Sequence, residues 1–429
     1  MHKVLCCILI LLIISAQLSG CYDARELEDL TYVFAIGIDR GISDKWRLTI
    51  LFPTMDNKDG NGNGSGGGSG SAESKYESYE VVTIDAPAFF TALNMLNTSI
   101  PRELNFMHTK YLVISEELAK SGTLGDYLAP IVRYRQVRRI INVVVSKGSA
   151  KEFIKELNLV TGATLPKAML TTMGQHELTG FFHDIDLNDF YNGIKSTYRA
   201  PVAALGGVND FSSFKLSGKK WEGGNKTGGE YKAGEIPRLG GSKIEFMGCA
   251  LFDGDTMVGE LNGEETRLML MGRGEFIRGF FNIPDPIEPS LSVPIDIRHA
   301  RRPKIDITYK GDKPIINMRI QLEGDLLAVQ SRVNYESEEL MPLLERAFEQ
   351  HIKDGMDKLI AKCQALNLDV FQFGRTAVWQ FGTIEEWESY NWLSHFKDSE
   401  ITCEVKFSIR RTGGMLKSSP IIKSEEKRQ

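Results

Sequence analysis

Residues 338–366 read EELMPLLERAFEQHIKDGMDKLIAKCQAL, and residues 401–410 read ITCEVKFSIR. In the first stretch Leu340, Leu343, Leu344, Ala347, Phe348, Ile352, Met356, Leu359, Ile360 and Cys363 recur at three- and four-residue steps. That spacing predicts one long helix with an apolar stripe wide enough to cover a sheet. Pro342 suits its first turn, where the missing N–H is no loss. In the second stretch Ile401, Cys403, Val405, Phe407 and Ile409 alternate with Thr402, Glu404, Lys406, Ser408 and Arg410, the period of a strand with one buried face. Ile315–Glu323 alternates in the same way, with Ile316, Met318, Ile320 and Leu322 inward and Asn317, Arg319 and Gln321 outward. Ser292–Arg298 and Lys304–Tyr309 follow the same period. Ile244–Phe252 leads into Asp253-Gly254-Asp255, a hairpin turn. Residues 244–416 therefore read as a C-terminal α+β domain, an antiparallel sheet covered by a long helix, with a polar tail over 417–429.

Working back, residues 206–241 hold ten glycines, a linker or loop excursion, and the main boundary is placed at 206–243. Residues 21–205 alternate strand and helix patterns. Thr31–Asp39, Trp46–Phe52, Tyr79–Asp85, Lys110–Ile114 and Ile140–Ser146 read as strands. Pro87–Leu96, Leu124–Tyr134 and Ser149–Leu157 read as helices, with Ser115 and Ser149 as caps. The whole is a multi-domain α+β chain with a mixed α/β N-terminal domain. Residues 56–75 (DNKDGNGNGSGGGSGSAESK) have no apolar period and read as an exposed loop. Gly62, Gly64 and Gly67 satisfy GxGxxG formally, but no helix pattern follows at once, so no dinucleotide site is expected.

The 429 residues carry 51 Lys+Arg against 56 Asp+Glu, a formal charge of -5. That balance argues against a protein that tracks nucleic acid along a basic face. With 42% hydrophobic residues the chain has the apolar content to build cores. The one long apolar run lies at the start: MHKVLCCILILLIISAQLSGC, residues 1–21. Lys3 followed by eleven apolar residues, Val4–Ile14, is too short to span a bilayer and suits a signal peptide. Leu18-Ser19-Gly20-Cys21 resembles the bacterial lipobox, which predicts cleavage between Gly20 and Cys21 and a diacylglyceryl lipid on the Cys21 thiol. Residues 1–20 are then a lipoprotein signal peptide, and the protein is tethered to the outer face of a cell membrane. Cys249, Cys363 and Cys403, odd in number and without CxxC spacing, read as buried hydrophobes.

A search for chemistry finds no GxSxG, HExxH or P-loop motif. His176, Glu177, His183, Asp184 and Asp186 form the densest polar group, and their spacing fits a solvated helix boundary better than a metal site. Asp184-x-Asp186-x-Asn188 starts like a calcium loop, but Asp189 and Lys195 stand where Gly and Glu are required. Neither a metal nor a cofactor is expected. Arg133, Arg135, Arg138 and Arg139, and again Arg298, Arg301 and Arg302, are basic runs read as solvated ends or ion-pair sets, with anionic headgroups as the alternative. Trp379, Trp387 and Trp392 beside Phe371, Phe373 and Phe381 read as core beneath the long helix.

Four stretches taken together resemble the Ger(x)C family, the lipoprotein C subunits of spore germinant receptors. They are the lipobox with Cys21–Leu30 and Ile36-Gly37-Ile38-Asp39; His108–Gly122 continuing to Arg133–Arg138; Gly248–Thr266; and Leu368–Gly374 with Trp387 and the Val405–Gly413 strand. The resemblance implies a non-enzymatic subunit on the outer leaflet of the spore inner membrane, partnered by membrane A and B subunits and needed for nutrient-triggered germination. The Cys21 lipid acceptor is the one residue to which it lends a role. The alternatives are a lipoprotein solute-binding module serving a transporter, favoured by two similar lobes about a hinge, and a cell-wall hydrolase with a carboxylate pair.

Overall fold

The computed structural model describes residues 4–5, 26, 29–54, 78–157, 164–218, 226–415 and 417–419. Gly20, Cys21 and the tract at 56–75 lie outside the described residues. Ten strands occupy the first part of the chain: β1 (Leu30–Tyr32), β2 (Ala35–Arg40), β3 (Trp46–Thr54), β4 (Ser78–Ala86), β5 (Glu103–Asn105), β6 (Tyr111–Ser115), β7 (Asn142–Ser146), β8 (Val202–Val208), β9 (Ile244–Asp253) and β10 (Thr256–Leu261). Eight of them form one sheet in the order β10-β9-β8-β7-β6-β2-β3-β4, while β1 and β5 pair separately. The centre, β2, β6, β7 and β8, is parallel, and the strands flanking it are antiparallel.

Parallel strands covered on both faces read as continuous apolar runs, and β6 (YLVIS) and β7 (NVVVS) do so. Leu112, Ile114, Val143 and Val145 face helices α1 (Phe89–Leu96) and α3 (Leu124–Arg133). Tyr111, Val113 and Val144 face α4 (Ala150–Lys155) and α5 (Leu165–Gly174). Ser115 caps α2 (Glu116–Ala119) and Ser149 caps α4, as the sequence predicts. Asp186 caps α6 (Leu187–Ile194) through the Asp189 N–H.

The sheet crosses the expected boundary. β9 and β10 follow the expected boundary in the chain, yet both extend the large sheet, β9 pairing with β8 from Val202↔Leu251 to Val208↔Ile244. The reason lies in β9 itself, which is buried at every position but the last and so has no alternation to reveal its sheet. The glycine-rich segment is thus an excursion between two neighbouring antiparallel strands. It returns tightly: a Cβ on Gly207 would lie 2.4 Å from the Ala233 backbone.

Helix α7 (Gly263–Arg273) follows β10 behind a capping box in which Asn262 and Glu265 bond each other's backbone N–H. Next come β11 (Arg278–Pro284), β12 (Ser292–Lys310), β13 (Lys313–Leu326), helix α8 (Met341–Ala365), short helical turns, and β14 (Glu400–Arg411). The separate strand patterns at Ser292–Arg298 and Lys304–Tyr309 are one long β12 with register shifts between His299 and Lys304. The second sheet, β11-β12-β13-β14, is antiparallel over three strands, but β14 lies parallel to β13. The 25-residue α8 is the reason, because a crossover of that kind returns the chain in the direction it left. Phe348 of α8 meets Phe407 of β14 with ring centroids 4.3 Å apart. Glu349 and Glu345 accept the Phe407 and Ile409 N–H groups at 3.0 and 2.8 Å, so the helix also covers the edge of the sheet.

Candidate functional site

Asp39, Gly248 and Asp369, from three of the four sequence stretches singled out above, carry architecture. Asp39 is buried at the end of β2, and its carboxylate accepts the Ala150 and Lys151 N–H groups at 2.9 and 3.1 Å, at the start of α4. Burial raises its pKa against the lowering pull of those bonds. Gly248 has φ +87°, and a Cβ there would lie 2.1 Å from the Leu261 carbonyl oxygen. Asp369, fully buried, accepts the N–H groups of Phe373 and Gly374 at 3.0 and 2.7 Å and the Trp392 indole N–H at 2.9 Å. Burial pushes its carboxyl up to about 6, again against those bonds.

These residues also join the two sheets. The Asp369 carbonyl accepts the Ala200 N–H at 3.0 Å, and the Trp387 indole donates to Thr197 at 2.9 Å. Arg267 of α7 is 2% exposed, donates to the carbonyls of Thr179 and Phe280, and stacks 3.7 Å from the Phe181 ring. Burial lowers its pKa to about 10. The aromatic cluster is core as expected at Trp387, Trp392, Phe371 and Phe373, but Trp379 is 86% exposed.

The polar group at 176–186 is a helix boundary as expected at the exposed Glu177 and the capping Asp186, but His183 and Asp184 are not free in solvent. His183 is largely enclosed and meets Glu275 at 3.2 Å, and the Asp184 carboxylate takes the Asn142 side-chain amide. Burial lowers the His183 pKa, while Glu275, despite its own burial, is held at about 2 by His183 and Arg273. Arg298 is an ion-pair residue as read, meeting Glu323 and Asp325, whereas Arg301 and Arg302 are exposed. Cys249, Cys363 and Cys403 are free and buried, with thiols pushed up to about 11, 12 and 12 by burial. Among the described residues no group of His, Cys, Asp and Glu is arranged to hold a metal.

A cleft of about 240 Å³ rich in charged side chains lies where β7, β8 and β10 meet α7 and α8. Its charges are mutually engaged. Lys147 bonds Glu260 at 2.6 Å and Glu116 at 3.4 Å; Lys232 bonds Glu260 at 3.1 Å; Lys362 bonds Glu265 at 2.7 Å and the Glu260 carbonyl at 2.8 Å. Burial works against both carboxylates, yet the lysines hold Glu116 and Glu260 below the usual range. This cleft is not legible in the sequence, because its members lie far apart in the chain and share no motif.

The geometry defines a multi-sheet α+β protein in which the buried ionisable side chains described above clamp helices, turns and strands together. Among the described residues no helix is long and apolar enough to cross a membrane. Two family descriptions match in order: "Spore germination protein N-terminal domain" over residues 23–206 and "Spore germination B3/ GerAC like, C-terminal" over 247–413. The chain belongs to this Ger(x)C family of spore germination proteins. It is similar to spore germination protein KC of Bacillus subtilis (strain 168), at 24% identity over 97% of each chain. It is also similar to the putative spore germination protein YfkR of the same organism, at 21% identity over 95% of this chain and 96% of that one. A solved structure of the GerBC protein aligns with a TM-score of 0.48 and 14% identity, covering 87% of this chain and 96% of the other.

Proposed function

We propose that this chain is a lipid-anchored, non-enzymatic C subunit of a spore nutrient germinant receptor, held on the outer face of the spore inner membrane through Cys21. It acts by contact with membrane A and B subunits. The observation that carries this reading is the ordered pair of family matches, 23–206 and 247–413, directly behind the Leu18-Ser19-Gly20-Cys21 lipobox. A non-enzymatic role is supported by the use of Asp39, Asp369, His183 and Arg267 as structural clamps and by the raised pKa of all three buried thiols. In the cleft each lysine already meets a glutamate, which favours this reading over solute binding.

The test is germination of spores lacking the gene, complemented with the wild type or with Cys21→Ala. Dipicolinic acid release is followed across a nutrient panel, with a receptor-independent chemical germinant as control. The expected result is loss of response to particular nutrients with the chemical response intact, restored by the wild type and not by Cys21→Ala. An unchanged response to every nutrient would count against the receptor assignment.

A further inference from the structure

The starts of β2, β6 and β7 line up across one edge of the large sheet, with Ala35 paired to Tyr111 and Tyr111 to Asn142. The residues just before them are also tied together. The Lys110 N–H donates to the Phe34 carbonyl, the Asn142 N–H to the Lys110 carbonyl, and the Phe106 N–H to the Gln136 side chain. The loop between α3 and β7 therefore lies at the edge where the chain first joins the sheet. That loop and the end of α3 carry Arg133, Arg135, Arg138 and Arg139, all exposed, and among the described residues none of the four meets a carboxylate. With Lys110 they make five cations, against the exposed Glu26, Asp29 and Glu103 on the incoming segment and its partner strand. Asp184 and Asp186, next to β7, are turned into Asn142 and the first turn of α6. His108, edge-on to Tyr32 with ring centroids 4.5 Å apart, is held below the usual histidine range by partial burial and by Lys110 and Arg138. Two exposed apolar side chains belong to the same segments, Ile140 next to Arg139 at 70% and Met107 next to the Gln136-bonded Phe106 at 48%.

Leu30 lies nine positions after Cys21. Fully extended, nine residues reach about 30 Å. A lipid on Cys21 thus keeps this edge close to the headgroups, and on a chain of formal charge -5 it is a local concentration of positive charge. We propose that this edge is a membrane-contact face: Arg133, Arg135, Arg138 and Arg139 engage anionic phospholipid headgroups while Ile140 and Met107 sit at headgroup level. This sets the side of the molecule that faces the bilayer. The direction of approach rests on the Cys21 reading; the patch and its chemistry do not.

The test uses the mature chain from residue 21 with Cys21→Ser, so that no lipid contributes, and measures co-sedimentation with vesicles. Mixed phosphatidylglycerol–phosphatidylcholine vesicles should bind it and phosphatidylcholine alone should not, with binding lost as salt shortens the screening length. Each guanidinium near the surface is worth about fivefold in partition, so Arg133→Gln/Arg135→Gln/Arg138→Gln/Arg139→Gln should lower it on the order of a hundredfold or more. The four Arg→Lys changes should keep most of the binding, and Lys406→Gln/Arg410→Gln, on the far sheet, should change nothing. Equal binding by the quadruple Gln variant, an equal loss from the far-sheet variant, or no preference for anionic vesicles would overturn the proposal. Detergent-phase partitioning of the full chain reports lipidation separately, so a failure of the anchor and a failure of the patch are told apart.

Discussion

The two sheets face their surroundings differently. The interior of the large sheet is enclosed on both faces: β6, β7 and all but the last residue of β9 are buried. The four-stranded sheet has one face under α8 and one in water, so Thr402, Glu404, Lys406, Ser408 and Arg410 of β14 are exposed while Cys403, Val405, Phe407 and Ile409 are not. A sealed sheet tolerates no misplaced atom, because neither side can relax into solvent, whereas an open face absorbs change at little cost.

The sharpest way to break this contrast is Gly248→Ala in the sealed sheet. The added Cβ would collide with the Leu261 carbonyl on a backbone already at φ +87°. Strain and clash together should cost about 4 kcal/mol, read as a shift of the urea midpoint at constant slope. A loss below about 1 kcal/mol would mean that β9 and β10 can part without penalty, and the sheet would not be sealed there.

Next comes the seam between the sheets. Asp369→Ala leaves the N–H groups of Phe373, Gly374 and Trp392 without their acceptor, and should cost about 3 kcal/mol. The carboxyl also carries a pH signature. Its folded pKa, about 6, stands above the ordinary 3.8, so the folded state holds the proton longer than the unfolded chain does. Stability from this group is full below about pH 4 and is lost as pH rises through about 6. His183, lowered by burial, has the opposite slope as pH falls below the usual histidine range. Subtracting the Asp369→Asn stability profile from that of the wild type isolates the Asp369 slope.

A smaller effect is expected where the open sheet ends. β14 is an edge strand, and Glu345 and Glu349 of α8 occupy the N–H groups of Ile409 and Phe407. Glu345→Ala/Glu349→Ala should cost about 1 kcal/mol per bond. It should also give concentration-dependent association on light scattering, because the freed N–H groups can pair with another strand.

The same contrast explains what the sequence discloses. Period-two alternation exists only where one face is wet, which is why β13, β14 and the stripe of α8 could be placed residue by residue. The buried β9 has no such signal, so its pattern does not reveal which sheet it joins, and the parallel direction of β14 follows from the crossover rather than from any residue in the strand. The caps at Ser115 and Ser149 were legible because capping is local. The clamp at Asp39 was not, since its partners lie 111 and 112 residues away. The cleft around Lys147, Glu260 and Lys362 escaped for the same reason, its pairs being separated by up to 113 residues. The arginine run was visible as composition; its place beside Lys110 and Phe34 needed the sheet register.

The smallest expected effect lies on the open face itself. Arg410 meets Glu323 at 3.0 Å, and Arg298 shares the same carboxylate at 2.8 Å. The pairs hold Glu323 below the usual carboxylate range, Arg410 contributing most. Arg410 is well exposed, so water and salt screen the contact, and holding a long side chain in place offsets much of the Coulombic gain. Arg410→Gln should therefore change stability by no more than about 0.5 kcal/mol at moderate salt, and by less as salt is raised. A calorimetric melt at two ionic strengths checks it. A loss comparable to that of Asp369→Ala would show that this face is as tightly constrained as the enclosed sheet, and the distinction between the two would fail.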